Sequence, residues 1–552
     1  MDLLHWVRLA SQAGVVVAVL GSLYAVYRLD SPGGAWGERL RSRLLGGVPW
    51  GTLVACALVL AVYLFVQDGW SRWYDPVTLP FYSWSYFYPL GWLAAPFAHS
   101  GASHLTGNLF ATLALAPLAE YAWSHFPTER GASSFSSWRT NPYVRSFLLF
   151  PLGVVAVGYA TVLFHWGPVI GFSGVVFAFA GFALVRFPVT TLVALLARQV
   201  VGTFYAAFRE PVTSVTVSPS FSPPWWTGIA VEGHLFGLLA GVLLGAVVVS
   251  RREERPPALR LWAATLLLAT SFSLWAVWYI GGADAYVLFR GPGVLMVSVL
   301  AVLVTVAVRS TDREFAAGLS RRYVATLLVV FPLLLMALVA VPVNATLVGD
   351  HALPGETVTV RDYSITYAEG VTNPKTRVFS LDFLGASPTV TTGGVIVASD
   401  ERELWTQQLS PGFLAFTGTA YVRVGGLGWR ETVLARRRGW SAVHGPTAYQ
   451  VWLGDGHGDL KHVFTSDPAR AGVTLAGKNV SVVPEAGEFY VSVSRRNETL
   501  GRAPVPGANE TVTVSGVRFV RDGPHVLGVL DGGANGTAGE TRVPVLRKET
   551  YE

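Results

Sequence analysis

Long apolar runs separated by short polar segments make up the first 343 residues of the chain. A helix needs roughly 17–25 predominantly apolar residues to cross a bilayer. The pattern predicts ten spans, at residues 8–27, 49–67, 103–123, 144–166, 170–187, 189–208, 227–250, 259–280, 292–309 and 323–343. We expect the first run to be retained as a span, because no clear signal-peptide cleavage site follows it.

From residue 344 onward the pattern changes to alternation of apolar and polar residues. Stretches such as 357–360, 421–424, 490–493 and 511–514 have the period of half-buried strands, and Gly and Pro separate them at short intervals. This segment predicts an all-β domain of the sandwich or barrel type. The expected fold class is a polytopic α-helical membrane bundle followed by a soluble β domain.

Composition supports a membrane protein, since 51% of the residues are hydrophobic and only 14% are charged, against about a quarter charged in soluble domains. The net charge of +6 comes from the apolar part, because the segment from residue 344 onward is close to neutral. The basic surplus therefore indicates membrane topology rather than nucleic-acid binding. Cys56 is the only cysteine, so no intrachain disulfide can form.

Arginine is concentrated on one side of a ten-span topology, which predicts that this side is cytoplasmic and that both termini lie outside. The groups follow the first, third, fifth, seventh and ninth spans: Arg28, Arg39, Arg41 and Arg43; Arg130 and Arg139; Arg186; Arg251, Arg252, Arg255 and Arg260; Arg309, Arg313, Arg321 and Arg322. We expect an integral protein of the plasma membrane with an extracytoplasmic C-terminal domain.

Asparagine usage agrees with this orientation. Five of the six asparagines from residue 344 onward open an Asn-X-Ser/Thr triplet, the acceptor sequence for N-glycosylation on exported surfaces. The alternative is that they are simply turn residues. The candidate glycosylation sites are Asn344, Asn479, Asn497, Asn509 and Asn535.

Three predicted spans carry a notable set of polar residues at one end, and such residues are costly inside a bilayer and are therefore functional candidates. All three spans enter from the outer side, and the polar residues fall within about the first two turns, so they share one depth. The third span contains His104 and Asn108, the fifth contains Gly171, Ser173 and Gly174, and the seventh contains Glu232 and His234.

These residue types fit acyl-transfer chemistry. Ser173 needs a base to become a nucleophile, and His234 is the candidate. His104 and Asn108, four residues apart on one helical face, can donate hydrogen bonds to a common point and, with the Ser173 amide, form an oxyanion hole. Taken singly, the serine more often bonds its own helix, and the His–Asn pair more often links helices. The conjunction at one depth favours a site.

Glycine spacing predicts how the serine and histidine spans approach. Gly233, Gly237, Gly241 and Gly245 recur every fourth residue along the seventh span. Such small-residue faces let helix backbones approach closely in lipid. The fifth span offers a complementary small face at Gly174, Ala178 and Gly181.

At these residues the sequence resembles the rhomboid family of intramembrane serine proteases. The resemblance covers residues 49–250 and rests on three motifs in family order: His99 with His104-x-x-x-Asn108, Gly171-x-Ser173-Gly174, and His234-x-x-Gly237-x-x-x-Gly241. It implies a six-helix core, a Ser173–His234 dyad without an acidic third member, and cleavage of transmembrane substrates near their outward ends. The aromatic-rich residues 68–103 match the membrane-embedded first loop of the family.

Two departures from the family pattern stand out. Trp92 is followed by Leu93, so an arginine that shapes the loop is missing, and Phe177 replaces a tyrosine that stacks on the histidine. The chain therefore divides into residues 1–48, an extra span with a basic cytoplasmic loop; 49–250, the catalytic core; 251–343, three additional spans; and 344–552, the β-rich domain.

Two other functions stay open at this point. A catalytically silent rhomboid-like protein would bind membrane clients without cleaving them, and a transporter would use the polar residues to bind a solute. No cofactor or metal is predicted. In the C-terminal segment a metal at 455–459 and an anionic surface at Arg436, Arg437 and Arg438 are less favoured than solvated turns. We expect the β domain to present or space substrates.

Overall fold

The computed structural model describes most of the chain. The described residues are 3–30, 34–127, 130–211, 220–250, 255–282, 284–309, 314–316, 319–345, 353–373, 391–454, 459–496, 498–530 and 540–552.

Helices occupy all ten positions at which spans were predicted. They are α1 Leu3–Asp30, α3 Trp50–Ala61, α5 Ala102–Trp123, α7 Phe150–Leu163, α8 Ser173–Arg186, α9 Pro188–Arg209, α10 Val231–Ser250, α11 Ala258–Ser271, α12 Arg290–Arg309 and α13 Arg321–Asn344. Three short helices lie between them: α2 Ala35–Arg43, α4 Pro89–Ala94 and α6 Pro142–Val144. Five-residue π-helical turns extend α3 over Val62–Val66 and join α6 to α7 over Arg145–Leu149.

Six stretches of helix among the described residues are long and apolar enough to cross a membrane: Trp6–Leu29, Pro142–Leu163, Pro188–Arg209, Val231–Val248, Arg290–Arg309 and Tyr323–Asn344. The apolar helices α3, α8 and α11 are shorter, and α5 carries His104, Asn108 and Glu120 in its 22 residues. The predicted helical membrane bundle followed by a β domain is thus confirmed.

One predicted span differs clearly from the observed helix. The stretch 259–280 was expected to be helical throughout, but α11 ends at Ser271, and at 1.5 Å per residue it is only about 21 Å long. Ser273 then adopts a left-handed backbone conformation. The aromatic and Gly-rich sequence that follows forms a hairpin of β1 Trp278–Gly282 and β2 Ala285–Leu288, as its strand propensity would favour.

The bundle is built around α8, of which 11 of 14 residues are buried. Helix α10 packs along α8, while α5 and α7 cover its other sides. At the opposite end of α5 from His104, the buried carboxylate of Glu120 accepts hydrogen bonds from the Gly51 and Thr52 amides at 2.7 and 2.8 Å and contacts His125 Nε2 at 2.6 Å. It thereby caps the free amides at the start of α3 and ties α3 to α5.

The C-terminal segment consists mainly of antiparallel strands. After the short β3 Glu314–Ala316 and β4 Leu319–Ser320 in the membrane part come β5 Val358–Val360, β6 Tyr363–Thr372, β7 Thr391–Ser399, β8 Leu404–Leu409, β9 Thr419–Gly426, β10 Trp429–Ala442, β11 Thr447–Gly454, β12 Leu460–Thr465, β13 Ala469–Leu475, β14 Lys478–Glu485, β15 Glu488–Arg495, β16 Glu498–Pro504, β17 Thr511–Val514, β18 Val517–Asp522, β19 His525–Leu530 and β20 Thr541–Lys548. One helix, α14 Pro411–Thr417, joins β8 to β9.

These strands form a double sandwich rather than a barrel. An eight-stranded sheet runs β12-β11-β10-β20-β19-β18-β17, with β9 also paired to β10, and two four-stranded sheets, β5–β8 and β13–β16, pack against it. One core includes Tyr363, Val397 and Val433, and the other includes Val482 and Phe519. The 14-residue strand β10 contributes to both cores and so connects the two halves of the domain.

Candidate active site

Ser173 is the first residue of α8, where it lies next to amides that have no partner within the helix. The turn before it depends on Gly171, whose φ of +129° is rarely accessible to other residues. The Gly171 amide donates to the carbonyl of Ala95 at 2.9 Å, which fixes the turn to the first loop. Ser173 is therefore presented at a helix N-terminus, where negative charge on a nearby oxygen would be stabilised.

His234 lies in the first turn of α10 and faces this serine. Its Nε2 is 3.0 Å from Ser173 Oγ, within hydrogen-bond distance. Phe177, one turn after the serine, stacks on the imidazole with ring centroids 4.3 Å apart and an interplanar angle of 18°. Phe272 packs edge-on against Phe177 at 4.8 Å. Phe177 thus packs directly on the histidine ring, and Phe272 packs on Phe177 in turn.

The two helices approach closely because glycine and alanine line their contact. A Cβ atom at Gly237 would overlap the backbone of Gly174, and one at Gly241 would overlap the backbone of Ala178. In the same way, Gly181 faces the backbone of Leu238. The contact is therefore backbone against backbone over two turns below the Ser–His pair.

His104 and Asn108 lie next to Gly171. The position that a Cβ of Gly171 would occupy is 2.8 Å from His104 Nε2 and 3.8 Å from Asn108 Nδ2. Asn108 Nδ2 also lies 3.0 Å from Nε2 of the fully buried His99, and Ser100 Oγ lies 3.0 Å from His104 Nδ1. The two nitrogens therefore converge beside the serine turn, and His99 and Ser100 orient them.

A further buried polar residue, Gln67, lies at the end of the π-helical turn that extends α3. Its buried side chain donates to the Val77 and His99 carbonyls at 2.9 and 2.8 Å and accepts from the His99 amide at 2.7 Å. It thereby joins both ends of the first loop, residues 68–101. A glutamine in a long apolar run is costly in a bilayer and is therefore a functional candidate, and this signal was available in the sequence.

A second group of polar residues, which includes the unpredicted His165, lies beside the start of α10. His165 is buried beside Gly233, and its Nε2 lies 3.8 Å from Oε2 of Glu232. The Asn344 side chain donates to the His165 carbonyl at 2.7 Å, and the Asn344 carbonyl accepts from the Tyr86 amide at 2.9 Å. The end of α13 is thus tied to the loops around the site.

A family model described as Rhomboid domain matches residues 86–251, under a third of the chain. The matched segment contains the His–Asn, Gly-x-Ser-Gly and His-x-x-Gly elements described above. Residues 86–251 form a rhomboid domain. No curated protein and no solved structure gives a significant match to the chain. With its apolar helices, the rhomboid domain makes this an integral membrane protein.

The matched segment begins after α3, so Gln67 and about half of the first loop lie outside it. Arginines of the β domain contact the first loop. Arg430 donates to the Asp75 carbonyl at 2.6 Å and pairs with its carboxylate, and Arg402 donates to the Tyr88 hydroxyl at 2.8 Å. Trp84 and Tyr88 are also part of the first β-domain core.

Other candidates from the sequence lie away from this site. Asn344 is buried at 4% exposure, Asn479 accepts a hydrogen bond from Arg470, and Asn509 is exposed in a turn. The predictions for Asn497, Asn535 and most of the turn at 455–459 fall outside the described residues. Arg437 pairs with Glu549, whereas Arg438 stacks over Trp452.

Proposed function

We propose that this protein is an intramembrane serine endopeptidase that cleaves transmembrane substrates with a Ser173–His234 dyad. The observation that carries the proposal is the 3.0 Å separation of Ser173 Oγ and His234 Nε2 at the contact of α8 and α10. The rhomboid domain supports it, since this family is typically one of intramembrane serine proteases.

In the proposed reaction His234 Nε2 accepts the Ser173 hydroxyl proton while Oγ attacks the scissile carbonyl carbon. Collapse of the tetrahedral intermediate breaks the C–N bond, and the leaving amine takes the proton from Nε2. Water then hydrolyses the acyl-enzyme by the same proton transfers. His234 Nδ1 has no hydrogen-bond partner among the described residues, so stacking on Phe177 takes the orienting role that a carboxylate has in a triad.

His104 Nε2, Asn108 Nδ2 and the Ser173 amide are the proposed donors to the oxyanion. Their convergence beside Gly171 supports this role, because donors held in place before the reaction stabilise the developing charge without reorganisation. No metal or cofactor takes part in the proposed mechanism.

The proposed substrates are transmembrane proteins cut near their outward ends. The arginine distribution supports an orientation in which the site opens to the outside and the β domain is extracytoplasmic, in the plasma membrane. The contact of the β domain with the first loop supports its role in presenting substrates, since that loop borders the proposed oxyanion site through Ser100 and His104.

The deciding experiment is cleavage of a transmembrane test substrate in proteoliposomes by the native protein and by Ser173→Ala. We expect cleavage by the native protein and none by the variant. The control is Ser298→Ala, which removes an exposed serine hydroxyl of α12 that bonds the Val294 carbonyl and should cleave at the native rate. Equal cleavage by the native protein and Ser173→Ala would refute the proposal. Substrate binding without cleavage by the native protein would instead establish the silent client-binding function.

A further inference from the structure

A cleft of about 280 Å³ separates the first loop of the membrane part from the β domain. One wall is the loop segment 75–79, and the other is formed by β9, with Gln408 of β8 beside it. Ser100 also lines the cleft. Ser100 Oγ is 3.0 Å from His104 Nδ1. Only the Ser100 side chain therefore separates the cleft from His104 of the proposed oxyanion site.

The β9 wall is a strand edge. Strand β9 pairs with β10 along its whole length, and its other edge has no strand partner in the part of the chain that the structure describes. The first loop lies close to the Gly425 end of β9, where Val77 packs against Gly425, so the cleft exposes the rest of this edge. Its side chains alternate, with Tyr421 and Arg423 exposed and Val422 and Val424 in the domain core. An edge of this kind can accept one more strand, whose backbone would gain main-chain hydrogen bonds.

Charge in the cleft is not balanced. Asp75 is the partner of two guanidinium groups, since Arg423 Nε lies 3.1 Å from its carboxylate and Arg430 binds the same oxygen. Arg430 is nearly buried and also holds the Asp75 carbonyl, whereas 52% of the Arg423 side chain is exposed. One positive charge therefore remains available for an incoming carboxylate.

We propose that this cleft binds an extended, acidic segment of the substrate just outside the scissile bond, by adding it as a strand to β9 and pairing it with Arg423. The inference rests on the proposed function, because it assigns the cleft to the substrate of the Ser173–His234 site. A chain unwound for cleavage is extended near the cut, where each residue adds about 3.3 Å. The continuity between Ser100 and His104 brings such a chain from the site into the cleft.

The test uses two membrane-anchored substrates that differ only in the segment outside the cut, which carries three aspartates in one and three lysines in the other. The readout is the ratio of their kcat/KM values with full-length protein in proteoliposomes. We expect the native protein to favour the aspartate substrate about fivefold, because an ion pair between Arg423 and a substrate carboxylate would be partly exposed to solvent and therefore modest in strength. Arg423→Glu should abolish or reverse the preference. The matched control is Arg502→Glu, which changes the same charge on an exposed arginine of β16 and should keep the native ratio.

A binding arm separates this inference from the proposed function. Fluorescent peptides of the two segments are titrated onto Ser173→Ala and onto Ser173→Ala/Arg423→Glu, and N-methylation of alternate amides in the aspartate peptide probes strand pairing. Arg423→Glu should weaken the aspartate peptide several-fold, and one N-methylation register should weaken it further. If Arg423→Glu leaves both the kcat/KM ratio of the two substrates and the affinity for the aspartate peptide unchanged, the cleft inference is overturned, while the proposed dyad is not affected. Selective binding without serine-dependent cleavage would refute the protease and keep the cleft as a peptide site.

Discussion

The contact between Gly237 and Gly174 allows the proposed geometry to be perturbed without touching a reacting group. A Cβ at position 237 would lie 2.9 Å from the Gly174 carbonyl carbon and closer still to its oxygen, whereas ordinary contact begins near 3.4 Å. Accommodating Gly237→Ala therefore requires α8 and α10 to separate by roughly 1 Å. Such a shift would lengthen the 3.0 Å distance from Ser173 to His234 beyond a hydrogen bond.

A misplacement of this size is expected to lower kcat about 100-fold. Alanine is intrinsically a better helix former than glycine by about 1 kcal/mol, so a loss of activity would come from the overlap and not from helix propensity. The assay is cleavage of a transmembrane substrate in proteoliposomes, with thermal unfolding measured on the same preparations.

Two variants serve as controls for this prediction. A Cβ at Gly153, on α7, would meet no atom within 4 Å, so Gly153→Ala should retain native kcat. Gly241→Ala produces a similar overlap with Ala178 one turn further from the dyad, and should lower the unfolding temperature as much with a smaller loss of kcat. Native-like activity for Gly237→Ala, or equal activity losses for Gly237→Ala and Gly241→Ala, would refute the argument.

Three further predictions concern the rest of the site and the β domain. Asn108→Ala should lower kcat about 100-fold with little change in KM, as for loss of one oxyanion donor, and a change confined to KM would contradict that role. Gln67→Leu leaves the His99 amide and the Val77 and His99 carbonyls without their partner. It should lower the free energy of unfolding by about 3 kcal/mol, and an unchanged denaturant midpoint would contradict this. Burial opposes ionisation of Asp362, but hydrogen bonds from Arg402 and Ser399 outweigh it and hold the pKa of Asp362 below its usual value. Its stabilisation is therefore present above pH about 4 and is lost as the pH falls through the lowered pKa, so unfolding curves of Asp362→Asn and the native protein should differ at neutral pH and converge in acid.

The helical part of the fold, and the polar residues that meet at the candidate site, could be predicted from sequence because the bilayer restricts what a span can contain. Polar residues at Ser173, His234 and Asn108 are costly in lipid, so their common depth indicated a site before any coordinates. Glycines spaced by four likewise indicated a close helix contact, and the structure places Gly237 and Gly241 against the backbone of α8.

Other features depend on contacts between distant residues that no local pattern encodes. Gln67 bonds to Val77 and His99, up to 32 residues away, and Arg430 reaches Asp75 across 355 residues. The contact of the β domain with the first loop therefore could not be read from either segment alone. The length of α11 was also predicted to be greater than it is. An apolar run that continues into a β hairpin has the same hydropathy as a membrane span, and only its Gly and aromatic content distinguishes the two.

The central claim is that Ser173 is a nucleophile activated by His234. It is tested most directly by treating the full-length protein with a fluorophosphonate probe and mapping the adduct by mass spectrometry. We expect one principal adduct, on Ser173, which is lost in Ser173→Ala, strongly reduced in His234→Ala, and retained in the control Ser298→Ala on α12. Labelling of another residue, or labelling of Ser173 at the native rate in His234→Ala, would contradict it.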